Sequence, residues 1–552
     1  MKQILTFFLF VVVSTTLVYA QETNTKGILS GNLQVDGAYY TDSLSQSQRP
    51  EGFGINSYAN FNYNYGKFTA GLRFELYQPP LMGYDTKYQG MGIPYKYLSY
   101  KADELEFTVG NFYEQYGSGM ILRSYEEKTL GYDNALEGVQ LKYNPFKGVY
   151  LKGLFARQRN FWDYDGLVRG IDGEIVINDA LGIENTELPY LSIGGSFVSK
   201  YQDPQNTTLN LPGNVAAGAG RASVVYKGFN LSGEYAYKIN DPSADNNYTY
   251  KNGQGLLINA TYSTKGFGVY LTAKRLDNMY FRSNRNASAT SYLINNPPAI
   301  AQEHTYSLSA MYPFATQANG EMGLQSQVSY KFKKNTPLGG KYGTKINVSL
   351  SKVYDIRRDS LDEYTAIGEK GTLGYNSNFF ALGDHWYTDF NIKLDKKFSN
   401  NFKGSLTQMY QEFDNNIFHV GGYHHVIYSH ITVADMTYKI NNNNAVRLEL
   451  QHLYTKNDKG NWAMAMLEYT VSPHWFFVVW DQVNYGGFGN TDNIEAFDEI
   501  EHFYNFSFGY TKKANRIQLS YGKQREGVVC AGGVCRYVPA YEGFMLSISS
   551  TF

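Results

Sequence analysis

The chain ends Tyr541-Glu542-Gly543-Phe544-Met545-Leu546-Ser547-Ile548-Ser549-Ser550-Thr551-Phe552. After Gly543, the residues Phe544, Leu546, Ile548 and Phe552 fall on one parity, with Ser550 between them. Met545, Ser547, Ser549 and Thr551 fall on the other. Strict alternation with a single apolar face marks a strand that meets different solvents on its two sides. A soluble sandwich can close on such a strand too, so the rest of the chain has to decide.

The same pattern recurs from the other end. Leu29, Gly31, Leu33, Val35, Gly37 and Tyr39 alternate against Ser30, Asn32, Gln34, Asp36 and Ala38. Ile55, Ala59, Phe61, Tyr63 and Tyr65 alternate against Asn56, Asn60, Asn62 and Asn64, and a tight Gly66-Lys67 turn leads into Phe68, Ala70, Leu72, Phe74 and Leu76. The second face is repeatedly polar, which suits a wet lumen and not a sandwich core. Similar segments continue through 95–101, 105–112, 136–143, 149–157 and 167–177 to 514–523, each near the length a tilted spanning strand needs. Short connections such as Gly66-Lys67, Lys227-Gly228 and Thr511–Lys513 alternate with long polar ones, among them 41–53, 78–93, 113–134, 158–165, 278–319, 354–384 and 524–539. That alternation predicts an all-β fold: one transmembrane antiparallel barrel of about 24 strands, within 22 to 26, with short periplasmic turns and long extracellular loops. If Tyr306–Tyr312 crossed the membrane, every later short turn would fall on the wrong side, so that stretch is assigned outside the wall.

Composition narrows the class. Hydrophobic residues are 43% of 552, and the mean hydropathy of −0.41 is too low for a helical membrane protein. Tyr at 50 residues and Gly at 54 are both abundant, and Tyr suits a wall that crosses lipid, headgroups and water. A formal net charge of −1 offers no basic stripe for a nucleic-acid partner. Lys2, the apolar run Ile4–Val13 and Val18-Tyr19-Ala20 read as a signal peptide over 1–20, leaving 21–552 as the barrel domain in contact with outer-membrane lipid. Only Gln21–Lys26 separate the two, so no plug domain is expected before the first strand, and a TonB-dependent receptor is not expected.

An empty lumen of this width would leak. The fill is therefore expected from loops, chiefly 113–134, 278–319 and 354–384, or from another protein. The first is dense in charge: Glu114, Arg123, Glu126, Glu127, Lys128 and Asp133 lie among Tyr113, Tyr116, Tyr125 and Tyr132. Three readings stand: a constriction loop that sets which solutes pass, an inward plug, or an exposed loop with solvated charges. Folded inward, its carboxylates are expected to meet Arg123, Lys128 or wall residues such as Arg73 and Lys152, because an unpaired desolvated charge is costly. Cys530 and Cys535 lie in the last long loop and are expected to form a local disulfide. No Ser, His and acid fall in a catalytic arrangement, so no enzyme activity and no cofactor is expected. Imidazoles spaced like His419, His424, His425 and His430 can bind a transition metal, but surface histidines between glycines and aromatics are the commoner case. The acids Asp163, Asp165 and Asp172, and Asp492, Glu495, Asp498 and Glu499, offer oxygen ligands for calcium without the spacing of a known calcium loop.

Ending on Phe552 after Gly543, Phe544, Leu546 and Ile548 resembles the closing strand of bacterial outer-membrane barrels, which the barrel-assembly machinery reads. Tyr116-Gly117-Ser118-Gly119 through Asp133, Phe281-Arg282-Ser283 with Arg285, and Cys530 through Pro539 resemble a family of large Tyr/Asn-rich outer-membrane barrels of bacteroidete-type bacteria. That family has no assigned function. The resemblance spans nearly the full length and implies a fold and a compartment, the cell outer membrane. Reading the signal peptide with the even strand number puts both termini in the periplasm. Two functions are then expected: a porin-like solute channel or transporter with a loop-filled lumen, or a non-conducting structural or accessory subunit that holds an outer-membrane protein partner. Epitope tags on intact cells check the topology. Tags in 41–53 and 524–539 should label, and tags at Gly66-Lys67 and Thr511–Lys513 should not.

Overall fold

Inside a bilayer no water is present to satisfy backbone N–H and C=O groups, so a sheet that crosses it must close on itself. In a computed structural model of the chain, which describes residues 27–49, 51–185, 187–204, 208–418, 426–456, 458–486, 500–531 and 534–552, it does. Twenty-four antiparallel strands form one sheet, each paired with its sequence neighbours in the wall. The first, Ile28–Tyr40, pairs with the last, Tyr541–Thr551, in register from Asn32↔Thr551 to Tyr40↔Gly543. Phe552 completes the seam: Gly31 donates its N–H to the Phe552 carbonyl at 2.9 Å, and the Phe552 N–H returns to Gly31 at 3.0 Å. Its ring lies 6.0 Å from that of Phe61 on the neighbouring strand.

The apolar parity points outward. Leu29, Phe197, Ile171, Tyr235, Phe477 and Phe544 are all exposed, a belt that only lipid can cover. No helix among the described residues is long and apolar enough to cross a membrane. The expected signal segment 1–20, His419, His424, His425 and the acids at 492–499 lie outside the described residues. His430 sits on the outer side of the strand Val426–Lys439, its ring 5.1 Å from Tyr410.

Two loops expected from polarity are something else. The stretch 158–165 is a continuation of the wall: Val149–Asn160 and Asp163–Val176 are joined by Phe161 and Trp162 alone. Gln158 and Arg159 turn inward onto partners and are buried, whereas Asp163 and Asp165 stay exposed. Trp162 donates from Nε1 to the Tyr88 carbonyl at 2.7 Å. The stretch 354–384 is strand at both ends, in the hairpin Thr344–Asp359 and Asn376–Lys397, whose register shifts three times between Val353 and Arg358. Bulges of this kind bend a ladder. The tip at 360–375 fastens to the neighbouring loop, with Tyr250 N–H on the Thr372 carbonyl at 2.7 Å. It therefore caps the rim and does not fill the lumen as expected. The short-turn end also carries two longer connections, 177–189 and 333–343, the first opening with the helical turn Ile177–Ala180.

Cys530 and Cys535 stand directly opposite in the small hairpin Gly527–Ala531 and Val534–Val538, and they are joined in a disulfide. The closed loop is short, so its loss should cost less than the roughly 3 kcal/mol expected of a 15-residue loop. Thermal unfolding of Cys530→Ser/Cys535→Ser should show a small downward shift with the barrel intact, and a non-reduced digest of the parent protein should contain the linked peptide.

Candidate functional site: two inserts that close the lumen

The residues 113–134 leave the wall after Leu105–Phe112 and rejoin it at Leu136–Tyr143, and in between they fold inward. Two miniature ladders shape them, Gln115–Tyr116 against Leu122–Arg123 and Glu126–Glu127 against Tyr132–Asp133. Gly117 and Gly119 have φ of 51° and 92°, the left-handed region where glycine is favoured. At Gly117 a side chain would also meet the Glu234 carboxylate of the far wall, 2.5 Å away. That carboxylate accepts the Ser118 N–H at 2.7 Å.

The tip is dry. Met120, Ile121 and Leu122 have 0% exposure, and they pack on inward-facing Leu154, Val168, Val198, Val215, Ala236 and Leu276. The inner parity of these strands therefore turns small or apolar at the long-loop end, instead of staying polar along its whole length. The second insert, 278–319, lies beside the first and spans the remaining width. Met279, Phe281 and Ile294 join the same cluster. Ile300, Leu308, Met311, Tyr312 and Phe314 form a second one against Val353, Tyr387, Ile431, Leu453, Trp462 and other wall residues. The stretch 306–312 thus does not cross the membrane, in keeping with the phase of the turns, but it lies within the barrel.

The inserts are laced to one another. Arg123 donates its backbone N–H to Ile294 O at 2.9 Å, and Asn296 N–H reaches Gly119 O at 3.2 Å. The Asn295 amide donates to Met120 O and Met279 O at 2.8 and 2.7 Å, and the Asn134 amide to Leu293 O at 2.9 Å. Each buried amide satisfies a carbonyl that water cannot reach.

Charge fastens the first insert to the wall. Arg73 contacts Glu75 at 2.7 Å, Glu126 at 2.9 Å and Asp133. Arg159 contacts Glu75 at 2.6 Å and Asp133 at 2.5 Å. Glu114 accepts from Lys152 at 3.0 Å and from Gln140 at 2.8 Å. Wall residues Arg73 and Lys152 are the partners the sequence suggested. Arg123 and Lys128 are not: the first lies over the Tyr125 ring at 4.7 Å and the second over Tyr58 at 4.6 Å. Glu127 instead caps the short helical turn at Lys128, accepting the Thr129 N–H at 3.0 Å. Glu75 and Arg159 escaped the sequence reading, Arg159 because it fell in a stretch read as a loop. By parity Arg159 shares the outward face of Phe155 and the exposed Arg157, and it turns inward only because the register shifts between Arg157 and Gln158, which the sequence does not signal.

Glu75, Glu126 and Asp133 bring carboxylate oxygens within 4.8 Å of one another, close enough to hold a metal ion. Two guanidiniums already occupy that space, so the cluster is an ion-pair lock and not a cation site. Burial acts to raise the Asp133 carboxyl, but Arg159, Arg73, the Ala135 N–H and the Tyr113 hydroxyl outweigh it and hold Asp133 below its ordinary range. At Glu126 burial wins over Arg73, and its carboxyl is raised. Asp133 accordingly stabilises the insert above the ordinary carboxylate range and loses that contribution as pH falls through its depressed pKa. The share of Glu126 is full below its ordinary range and fades as pH rises through its raised one.

Among solved structures, the chain is similar to the translocation pore of the P pilus usher PapC, with 10% identity, a TM-score of 0.44, and coverage of 95% of this chain and 99% of that one. It is similar to a mutant of the ferric enterobactin receptor PfeA of Pseudomonas aeruginosa, at 11% identity and TM-score 0.43, covering 97% and 81%. The copper transporter OprC gives 9% and 0.40, covering 97% and 82%. Likeness at this level says nothing of what this chain carries. No curated protein matches its sequence. One family model, described as "Family of unknown function (DUF6029)", matches residues 1–552.

Arg159→Met should expose the weight of the lock. It strands Glu75 and Asp133 in a buried site with one guanidinium, at an expected cost of about 3–5 kcal/mol. A lowered temperature of heat-modifiable unfolding, with faster proteolysis within 113–134, is the expected reading.

Proposed function

We propose that this chain, which belongs to the DUF6029 family, is an outer-membrane channel or transporter closed at rest by its own two inserts. The observation that carries the reading is the asymmetry of the lumen. Its long-loop end is sealed by packed side chains, while its short-turn end keeps polar-lined hollows. One of about 520 Å³ lies on the short-turn side of Tyr306 and is bordered by Thr344, Lys393, Ser405, Asp435 and Arg447. Another of about 460 Å³ is bordered by Glu468, Thr470, Asn505, Arg516 and Gln518. A barrel that only held a partner would have no need of a polar vestibule that stops at a plug. With the short turns in the periplasm, the vestibule opens inward and the seal faces the outside.

The two inserts differ in how they are held. The first is anchored by the buried ion pairs above. The second has a buried ion pair near its start, Arg282 with Asp245 at 2.6 Å, while its 300–319 half leans on hydrogen bonds to wall side chains: Leu308 N–H to Gln451 at 2.9 Å, Ser307 to Gln482 at 2.7 Å, Tyr306 to Asp435 at 3.2 Å and His304 to Asp389 at 2.6 Å. Water can replace bonds of this kind at a net cost of about 0.5–1.5 kcal/mol each. The 300–319 stretch is thus the element that moves, and 113–134 is the frame it closes on.

The dryness of Met120, Ile121 and Leu122 favours one other reading, a permanently plugged accessory subunit of an outer-membrane complex. Conductance separates the two. In planar bilayers the intact protein should be nearly silent with brief openings. Deleting 301–316, or 117–130, should give a barrel that still inserts, conducts steadily and admits large antibiotics to cells. An intact protein that never opens and co-purifies with a fixed partner supports the accessory reading, and a steady wide conductance from the intact protein contradicts both.

A further inference from the structure

The lumen wall at the short-turn end is strongly basic over one arc. A cavity of about 520 Å³ there is lined by Lys331, Lys345, Lys393, Lys397 and Lys403, with Lys396 at its edge and Tyr306 of the second insert as its roof. Parity places the five on the inner face. Lys331 follows exposed Tyr330, Leu394 alternates with Lys393, and Leu406 is exposed on the face opposite Lys403.

The register makes the arrangement costly. Lys331 stands directly across from Lys345, and Lys397 directly across from Lys403. Like charges facing across adjacent strands destabilise a sheet. Little in the cavity offsets them. Asp395 is 3.9 Å from Lys393 and is the register partner of Lys345. Asp435, the other carboxylate of the lining, is held by Arg447 at 2.9 Å, and Arg447 also binds Glu449 and Glu468. Among the described residues Lys331, Lys345 and Lys403 have no ion pair. Random solvation does not require two facing lysine pairs on one inner arc, whereas a ligand with several negative charges does.

We propose that this vestibule binds a small polyanion bearing phosphate or carboxylate groups, and that such a solute is what the barrel carries. The second clause rests on the channel reading above, but the binding site does not. A cavity of this volume fits a small solute. The lysines point into the lumen, away from lipid, which favours a soluble anion over headgroups. The roof links ligand to gate. The Lys393 ammonium lies 5.9 Å from the Tyr306 ring, and the Tyr306 hydroxyl donates to Asp435. An anion that draws Lys393 toward itself loosens the insert at that point.

The test is calorimetric titration of the purified full-length protein with tripolyphosphate and, separately, with tricarballylate. Repeating it in phosphatidylcholine nanodiscs with and without phosphatidylglycerol separates solute from lipid phosphate. Saturable binding is expected for at least one probe, weakened by salt. It should fall at least about tenfold in Lys345→Gln/Lys397→Gln/Lys403→Gln and be retained in the matching Lys→Arg protein. Unchanged heat-modifiable migration shows that each variant is folded. Absence of saturable binding overturns the proposal, as does binding indifferent to the Gln triple, or lysine dependence seen only toward phosphatidylglycerol. Polyanion binding in a barrel that never conducts after insert deletion would leave the site standing and remove the channel reading. Conduction without binding would do the reverse.

Discussion

Every strand of this protein depends on one seam, the pairing of Ile28–Tyr40 with Tyr541–Thr551. An open sheet would leave two rows of unpaired backbone groups in lipid, each costing several kcal/mol in order-of-magnitude terms. Closing the sheet removes them, and Phe552 takes part through both of its backbone groups. The same closure creates the second problem. A ring of 24 strands encloses more space than its own side chains fill, and a barrel narrower than this already holds an aqueous channel. The inner half of the structure is an answer to that geometry.

The answer uses both halves of protein physical chemistry at separate places. Apolar contacts seal the long-loop end, where the wall presents Val198, Val215, Ala236 and Leu276 inward. Burial of each Val or Leu among them contributes about 1.5–3 kcal/mol. Ion pairs orient the first insert, since Arg73 and Arg159 give three carboxylates only one low-energy arrangement. The amides of Asn134, Asn295 and Asn296 then tie the second insert to the first. Neither insert has its partners satisfied without the other, and the two are joined where Arg123 meets Ile294 and Gly119 meets Asn296.

Much of the wall was legible in the sequence because the period of two is a local signal. Phe544, Leu546 and Ile548 carry it by themselves, and the alternation of short and long connections then kept 306–312 out of the wall. The inward course of 113–134 followed from a global need to fill space, combined with its own charges. The misreadings share a cause. At 158–165 and 354–384 polar residues were read as loop, whereas in a barrel a polar side chain on a strand can face inward and find a fixed partner, as Arg159 does with Glu75. The apolar inner arc was missed for the complementary reason. Val198 and Ala236 break the polar parity singly on two strands and Val215 and Ala217 together on a third, and only the closed ring brings them together. The paired lysines of the vestibule depend on register, which the composition of a strand does not reveal.

The central claim is that the lumen is sealed by a packed interior and not by loosely draped loops. Amide hydrogen exchange of the intact protein in lipid nanodiscs addresses it directly. The account predicts that peptides covering 119–124 and 293–296 exchange as slowly as the neighbouring wall strands Leu105–Phe112 and Leu136–Tyr143, because their N–H groups bond within a dry core. Exchange of those peptides as fast as that of the exposed tip at 360–375 would contradict it.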